Sequence, residues 1–282
     1  MEKDNLMRLN PFAIIFLLVF LSCGTEQSQI DDFEGEFANE ESTLAKDASG
    51  FKVYTLPAPL QIATAVKLFE LPYSDDLIAI TKASEATFPN SHMKALNMGI
   101  FAVDMGYTTI YEQHQTAIDY STKVHKLADE LDISGGFAES LIKRFENNRD
   151  NQDSLYRIVL TGFNKVHKYL QDNHRMDVGL LISAGSLIEG LYLSLEFTKI
   201  KKDARLLLLI AQQQIFVDNI IELMEVYAEK PEIEKLLQDM KAIRAAFHGI
   251  ELPIGKKNVA ITEEQLEVLI ELVTEIRRNI IT

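Results

Sequence analysis

Two carboxylates stand in the least polar stretches of the chain. Asp104 lies in a segment, about 92–112, whose Leu96, Met98, Ile100, Phe101, Ala102, Val103, Met105 and Ile110 leave almost no polar face. Glu189 lies in a second, about 176–198, with Val178, Leu180, Leu181, Ile182, Leu187, Ile188, Leu191, Leu193 and Leu195. A carboxylate in such surroundings is costly unless it is paired or protonated. Two of them facing one cavity can bind a cation or exchange protons with a substrate. Tyr107 and Tyr192 each follow a carboxylate by three residues, which keeps them on its side of a helix. Asp104, Tyr107, Glu189 and Tyr192 are therefore the candidate ligand-binding set. The competing role is structural, with each carboxylate paired to a Tyr, Arg or Lys.

Other chemistry is sparse. Asn97, Asp104 and Tyr111 recur every seven residues and form one row, while Ser183, Ser186, Glu189 and Tyr192 recur every three. No Gly-x-Ser-x-Gly elbow, P-loop or Gly-x-Gly-x-x-Gly fingerprint occurs. His92, His114, His125, His167, His174 and His248 lack metal-ligand spacing, and no Glu-x-x-His suits a di-iron site. Lys143, Arg144 and Arg149 flank Phe145 to Asn148, a basic helix end able to hold an anion or cap a neighbouring helix C-terminus. No metal or cofactor is expected from these residues, and no catalytic constellation is legible.

The elements that must position these groups are helical. No stretch alternates with period two, so the expected class is all-α, a multi-helix bundle or stacked helical hairpins. About nine to ten helices are expected, at about 60–71, 74–86, 92–112, 115–131, 136–148, 152–173, 176–198, 203–228, 231–247 and 262–280. Pro231 opens one, and Thr262 with Gln265 forms a capping box at the last. Gly179, Ala184, Gly185 and Gly190 permit close helix approach, so 176–198 reads as the central helix of a bundle despite its membrane-like apolarity. Asp104-Met-Gly-Tyr107 and Glu189-Gly-Leu-Tyr192 lie 85 residues apart, an echo that points to two pseudo-repeated modules.

Charge limits the partners. The net charge is −14, and half of that excess lies in residues 24–50, where eight acidic residues meet Lys46 alone. An acidic chain without a basic run is a poor nucleic-acid binder, because phosphate recognition needs clustered Lys and Arg. Low apolar content makes 24–50 a disordered acidic tether.

The N-terminus carries an address. Phe12 to Leu21 is a ten-residue apolar run, too short to span a membrane comfortably and suited to a signal-peptide core. Lys3 and Arg8 precede it, and Ser22-Cys23-Gly24 follows with the only cysteine of the chain. This stretch resembles a bacterial lipoprotein signal, although Phe20 and Leu21 replace the usual lipobox residues. The resemblance implies cleavage before Cys23, lipidation of Cys23, and a domain order of signal peptide 1–22, lipidated tether 23–55 and helical domain 56–282. Ile30-Asp31-Asp32-Phe33-Glu34 resembles the acidic motifs that send Bacteroidota lipoproteins to the cell surface, but begins seven residues after the cysteine. The side of the outer membrane, periplasmic face or cell surface, stays open.

Three further stretches, Lys94 to Tyr107, Gly136 to Asn148 and Ser183 to Tyr192, are similar to a family of uncharacterised, all-helical Bacteroidota lipoproteins. That resemblance implies a fold and a location but no activity. Two function classes result. One is a non-enzymatic binding or scaffold module held to the membrane by its lipid, with a protein partner in the cell envelope. The other is a ligand-binding or enzymatic pocket around Asp104 and Glu189.

Overall fold

The segments of helical period fold as seven α-helices among the described residues: α1 Ser91–Ile110, α2 His114–Glu130, α3 Gln152–Asp172, α4 Met176–Ile200, α5 Ala204–Glu225, α6 Pro231–Ala246 and α7 Glu263–Ile281. The computed structural model describes residues 70–79, 88–136, 143–144, 147–148, 151–250 and 260–282, all within a unit spanning Leu56–Thr282. No strand occurs among them, so the chain is all-α.

The helix boundaries follow local chemistry. The side chains of Asn90, Asn151 and Asp203 accept the orphan amides of Met93, Ser154 and Arg205. Pro231 occupies the first turn of α6, and the Thr262–Gln265 capping box forms at α7. Three helices end without glycine. Glu112, Asp132 and His174 adopt φ of 60°, 55° and 56° just past α1, α2 and α3. The next amide in each case returns to a carbonyl of the last turn: Gln113 to Thr108, Ile133 to Ala128 and Arg175 to Leu170. These are Schellman closures, held by residues for which the left-handed conformation costs about 1–2 kcal/mol each.

Seven of the expected nine to ten helices lie among the described residues. The helices expected at 60–71 and 136–148 fall mostly outside the described residues. The one expected from Ser74 to Ala86 is, as far as Ala79, only a single 3-10 turn, Asp75–Leu77, followed by extended backbone at Ile78. Leu71 to Ala79 is instead an irregular strap that buries Leu71, Leu77, Ile78 and Ala79. The expected pair of pseudo-repeated modules is not supported among the described residues, which lie in one unit. The helices that carry the sequence echo, α1 and α4, pack on each other in the middle of one core.

That central contact is made by backbone. A Cβ on Gly99 would lie 2.0 Å from the carbonyl oxygen of Ile182, and one on Gly185 would lie 2.1 Å from that of Leu96. Ser186 seals the crossing by donating to the Gly99 carbonyl at 3.2 Å. Beyond it Asp104 meets Glu189, and the Tyr107 ring meets Phe197 at 6.1 Å. The contacts advance along both helices together, so α1 and α4 run in the same sense. Around them α2 folds back on α1, α5 on α4 and α6 on α5, and α7 lies against α4 and α6.

By length and composition α4 and α5 are each apolar enough to cross a membrane. The most apolar window of α4 is wholly enclosed by the rest of the fold, as the core helix of a bundle is, and that of α5 is 44% buried.

The glycine crossing makes a direct prediction. Gly99→Ala or Gly185→Ala forces two backbones apart and is expected to cost about 1–3 kcal/mol, the usual scale of overpacking. At Gly179 the new methyl would meet only the flexible Leu170 side chain, at 3.4 Å. There helix propensity decides, so Gly179→Ala is neutral or gains up to about 1 kcal/mol. Urea denaturation midpoints of the three variants measure this contrast, and equal midpoints contradict it.

Candidate functional site

Asp104, Glu189 and Arg277 come from α1, α4 and α7 and meet in the core, at 0%, 0% and 3% exposure. Arg277 grips Glu189 with two donors: Nε reaches Oε2, and Nη2 reaches Oε1 at 2.7 Å. Its Nη2 also donates to the Leu77 carbonyl at 3.0 Å. The guanidinium carbon sits 3.9 Å from the centre of the Tyr192 ring, a cation–π contact that a desolvated site strengthens. Arginine suits this place because its planar fork matches a carboxylate and stacks on an aromatic face at once.

Asp104 is held differently. Its Oδ2 accepts from the Ala79 amide at 2.8 Å and from the Tyr120 hydroxyl at 2.7 Å. Its Oδ1 is buried and receives no donor. The Glu189 side chain also lies within hydrogen-bonding reach of the carboxyl. Burial pushes Asp104 well above the usual carboxylate range, the negative charge of Glu189 pushes it further, and Arg277 opposes both. Glu189 and Arg277 act with opposite signs, so desolvation decides. Protonating an ordinary carboxylate at pH 7 costs about 4 kcal/mol. Burying it charged costs several kcal/mol per ion, and Oδ1 would be a bare anionic oxygen. Burial and the Glu189 charge thus favour the protonated form of Asp104 beside the Glu189–Arg277 ion pair.

Arg277 responds in kind. Burial works against its charge, but Glu189, through its charge and its hydrogen bonds, and Asp104 raise its pKa above the ordinary value. Tyr192 is pushed up to about 12 by burial, with Arg277 pulling the other way.

Of the four candidate residues, the structure thus brings Asp104, Glu189 and Tyr192 around one guanidinium. Tyr107 lies one turn further along α1 and serves a different contact. Its hydroxyl accepts from the Ser74 amide at 2.9 Å, and its ring stacks with Tyr73 at 5.3 Å and meets Tyr111 at a tilt, at 4.8 Å. Burial pushes its pKa up to about 12, partly offset by that amide. The row Asn97, Asp104, Tyr111 grips a different segment at each level. Asn97 Nδ2 donates to the Ile280 carbonyl at 2.8 Å, Asp104 holds Ala79, and Tyr111 donates to the Leu71 carbonyl at 2.6 Å.

Arg277 and Tyr120 did not stand out in the sequence, yet both left a signal. Leu266, Leu269, Val273, Ile276 and Ile280 form the buried stripe of α7, and Arg277 falls between Val273 and Ile280 at helical spacing. Tyr120 lies in the equivalent stripe of α2, with Ala117, Val124 and Leu127.

Elsewhere the polar groups are less concentrated. Among the described residues no group of three His, Cys, Asp or Glu is placed to hold a metal ion. His92 and His167 are both lowered by burial. Of the basic cluster, Arg149 and most of 137–150 lie outside the described residues. An open groove of about 600 Å³ lies between α5 and α6, lined by Gln214, Asp218, Lys241, Arg244, Phe247 and His248. It shares no residue with the buried site.

No family model, no curated protein and no solved structure matches this chain.

The charge state is testable by stability. Asp104 has a raised folded pKa, so its contribution is fully present below the ordinary carboxylate value, about 3.9, and is lost as pH rises through the folded value. Asp104→Asn keeps the acceptor for Ala79 and Tyr120 and replaces the acid proton by an amide donor. It is expected to be at least as stable as wild type at pH 7, with the advantage vanishing as pH falls towards 4. Arg277→Met leaves Glu189 buried without its cation and should cost about 3–5 kcal/mol. Chemical denaturation from pH 4 to pH 8 reads both, and a large loss in Asp104→Asn at pH 7 would overturn the assignment.

Proposed function

We propose that the chain is a membrane-anchored helical lipoprotein of the bacterial cell envelope, acting as a non-enzymatic binding or scaffold module. The observation that carries this reading is the sequence Phe12 to Cys23, an apolar run of signal-peptide length ending at the only thiol of the chain. Acyl chains on Cys23 would supply the attachment to the outer membrane, at about 0.8 kcal/mol per buried methylene. The acidic stretch 24–50 would serve as the spacer between lipid and helical domain. On this reading the covalent lipid is the only non-protein group, the membrane and an envelope protein are the partners, and nucleic acid is not one. The likeness to uncharacterised all-helical Bacteroidota lipoproteins belongs to the same proposal.

The state of the two core carboxylates supports the non-enzymatic part. Glu189 spends both oxygens on Arg277, and Asp104 spends Oδ2 on Ala79 and Tyr120. Both groups hold helices and strap together. A second reading, a ligand-binding or enzymatic pocket around Asp104 and Glu189, has one observation in its favour: Asp104 Oδ1 is a buried polar atom without a donor. Against it stands the complete burial of both carboxylates, which leaves a substrate no approach.

The anchor is tested by metabolic labelling with a palmitate analogue in a bacterial host that processes lipoproteins. The expected result is label on the wild-type chain and recovery with membranes. Cys23→Ala should lose the label and appear in the soluble fraction. Equal labelling and equal membrane retention of the two would contradict the proposal. Protease treatment of intact cells then decides the face: digestion of the helical domain means the surface, protection means the periplasmic side.

A further inference from the structure

Four side chains of other elements reach the backbone of the strap Leu71–Ala79. From α1, Tyr111 holds the Leu71 carbonyl, Tyr107 holds the Ser74 amide and Asp104 holds the Ala79 amide. From α7, Arg277 holds the Leu77 carbonyl. Two of these four fasteners, Asp104 and Arg277, belong to the buried charge site. The strap in turn covers that site: Ile78 and Ala79 are buried at 1% and 0% exposure, and the Ala79 amide occupies one of the two Asp104 oxygens. Docking of the strap thus completes the burial of Asp104, although the Ala79 amide bond taken alone favours the ionised carboxylate.

We infer that the strap is a proton-dependent latch, closed when one proton sits between Asp104 and Glu189 and released when Asp104 gives that proton to water.

The groups that face Asp104 define the device. Glu189 on α4 faces it as a negative charge and Arg277 on α7 as a positive one, with the Tyr120 hydroxyl of α2 bonded to it directly. Tyr73 in the strap, Tyr107 on α1 and Tyr192 on α4 also feel its charge; burial raises all three, so they stay neutral at physiological pH. Asp104 is then the one group of this set that trades its proton when the strap lifts. Lifting exposes it to water, where a carboxyl titrates near its ordinary value of about 3.9. Docked, it keeps its proton to much higher pH, for the reasons given above.

The sign follows. The docked strap binds one more proton than the lifted one throughout the interval between the two pKa values. Docking is therefore strongest below the ordinary carboxylate value and weakens as pH rises towards the docked value. One proton per opening event means a tenfold rise in the opening constant per pH unit. The latch is closed by acid and loosened by base, opposite to an ordinary carboxylate ion pair, which acid breaks.

Hydrogen–deuterium exchange by mass spectrometry on the whole folded chain tests this. Peptides covering 71–79 are compared with peptides from α6 between pH 5 and pH 8, each rate divided by the unstructured-chain rate at that pH. Wild type is expected to lose protection in the strap by about tenfold per pH unit, with α6 unchanged. Asp104→Asn, which cannot ionise, is expected to hold the strap with pH-independent protection. The same pH slope in Asp104→Asn, or a flat profile in wild type, would overturn the proposal. Tyr111→Phe supplies a second check: it removes the bond to the Leu71 carbonyl and should lower strap protection by the same factor at every pH. A changed slope in that variant would also count against the latch.

Discussion

Two buried carboxyls share one guanidinium, and everything around them is arranged to make that tolerable. A fully ionised trio would leave a net negative charge in a core shielded from bulk solvent. The structure gives the ion pair to Glu189 and Arg277, and burial favours the protonated form of Asp104. The arrangement ties α1, α2, α4, α7 and the Leu71–Ala79 strap to a single point, because each sends a group to it. Buried networks of this kind add little to stability relative to apolar packing of the same volume, but each broken member is expensive. Their strength lies in specifying one arrangement of the helices.

The charge site is a consequence of how closely α1 and α4 approach. Gly99 and Gly185 bring the two backbones into contact, and Asp104 and Glu189 follow within the next two turns on facing sides. With larger residues at the crossing the helices would stand further apart, and a water or a second cation could separate the carboxyls. At glycine distance the Glu189 charge is close enough to raise the pKa of Asp104. Steric packing thus sets the electrostatic state, and that state decides how firmly the strap is held.

Much of this could be read in advance, and the reasons differ from element to element. The seven described helices were legible from period and caps, since Pro231, Thr262 and Gln265 act locally. The two carboxylates were legible because a carboxyl in a segment with almost no polar face has few solutions. The strap was misread as a helix from Ser74. Its short apolar run fits a helix, but its backbone groups bond to distant side chains of Tyr107, Tyr111, Asp104 and Arg277, and no local signal records that. Arg277 escaped for a related reason. It follows Ile276 and precedes Arg278 near a helix end, where basic residues are ordinary, and only its place in the α7 stripe marks it as buried. The echo between Asp104–Tyr107 and Glu189–Tyr192 reflects two helices that face each other. Similar residues recur because both sides of one contact need a small residue, a carboxyl and an aromatic.

Function enters from the other end of the chain. The proposed lipid at Cys23 would determine where the protein resides, while the buried site determines how rigidly its helical body is closed. The most direct measurement of the central claim is the infrared spectrum of the protein in deuterated buffer at neutral pH. Ordinary surface carboxyls are ionised there, so a protonated acid stands apart from them. The account predicts a carboxylic-acid carbonyl band at pH 7 in wild type that is absent in Asp104→Asn. A spectrum with carboxylate bands alone, the same in both proteins, would show that Asp104 is charged and would contradict the account.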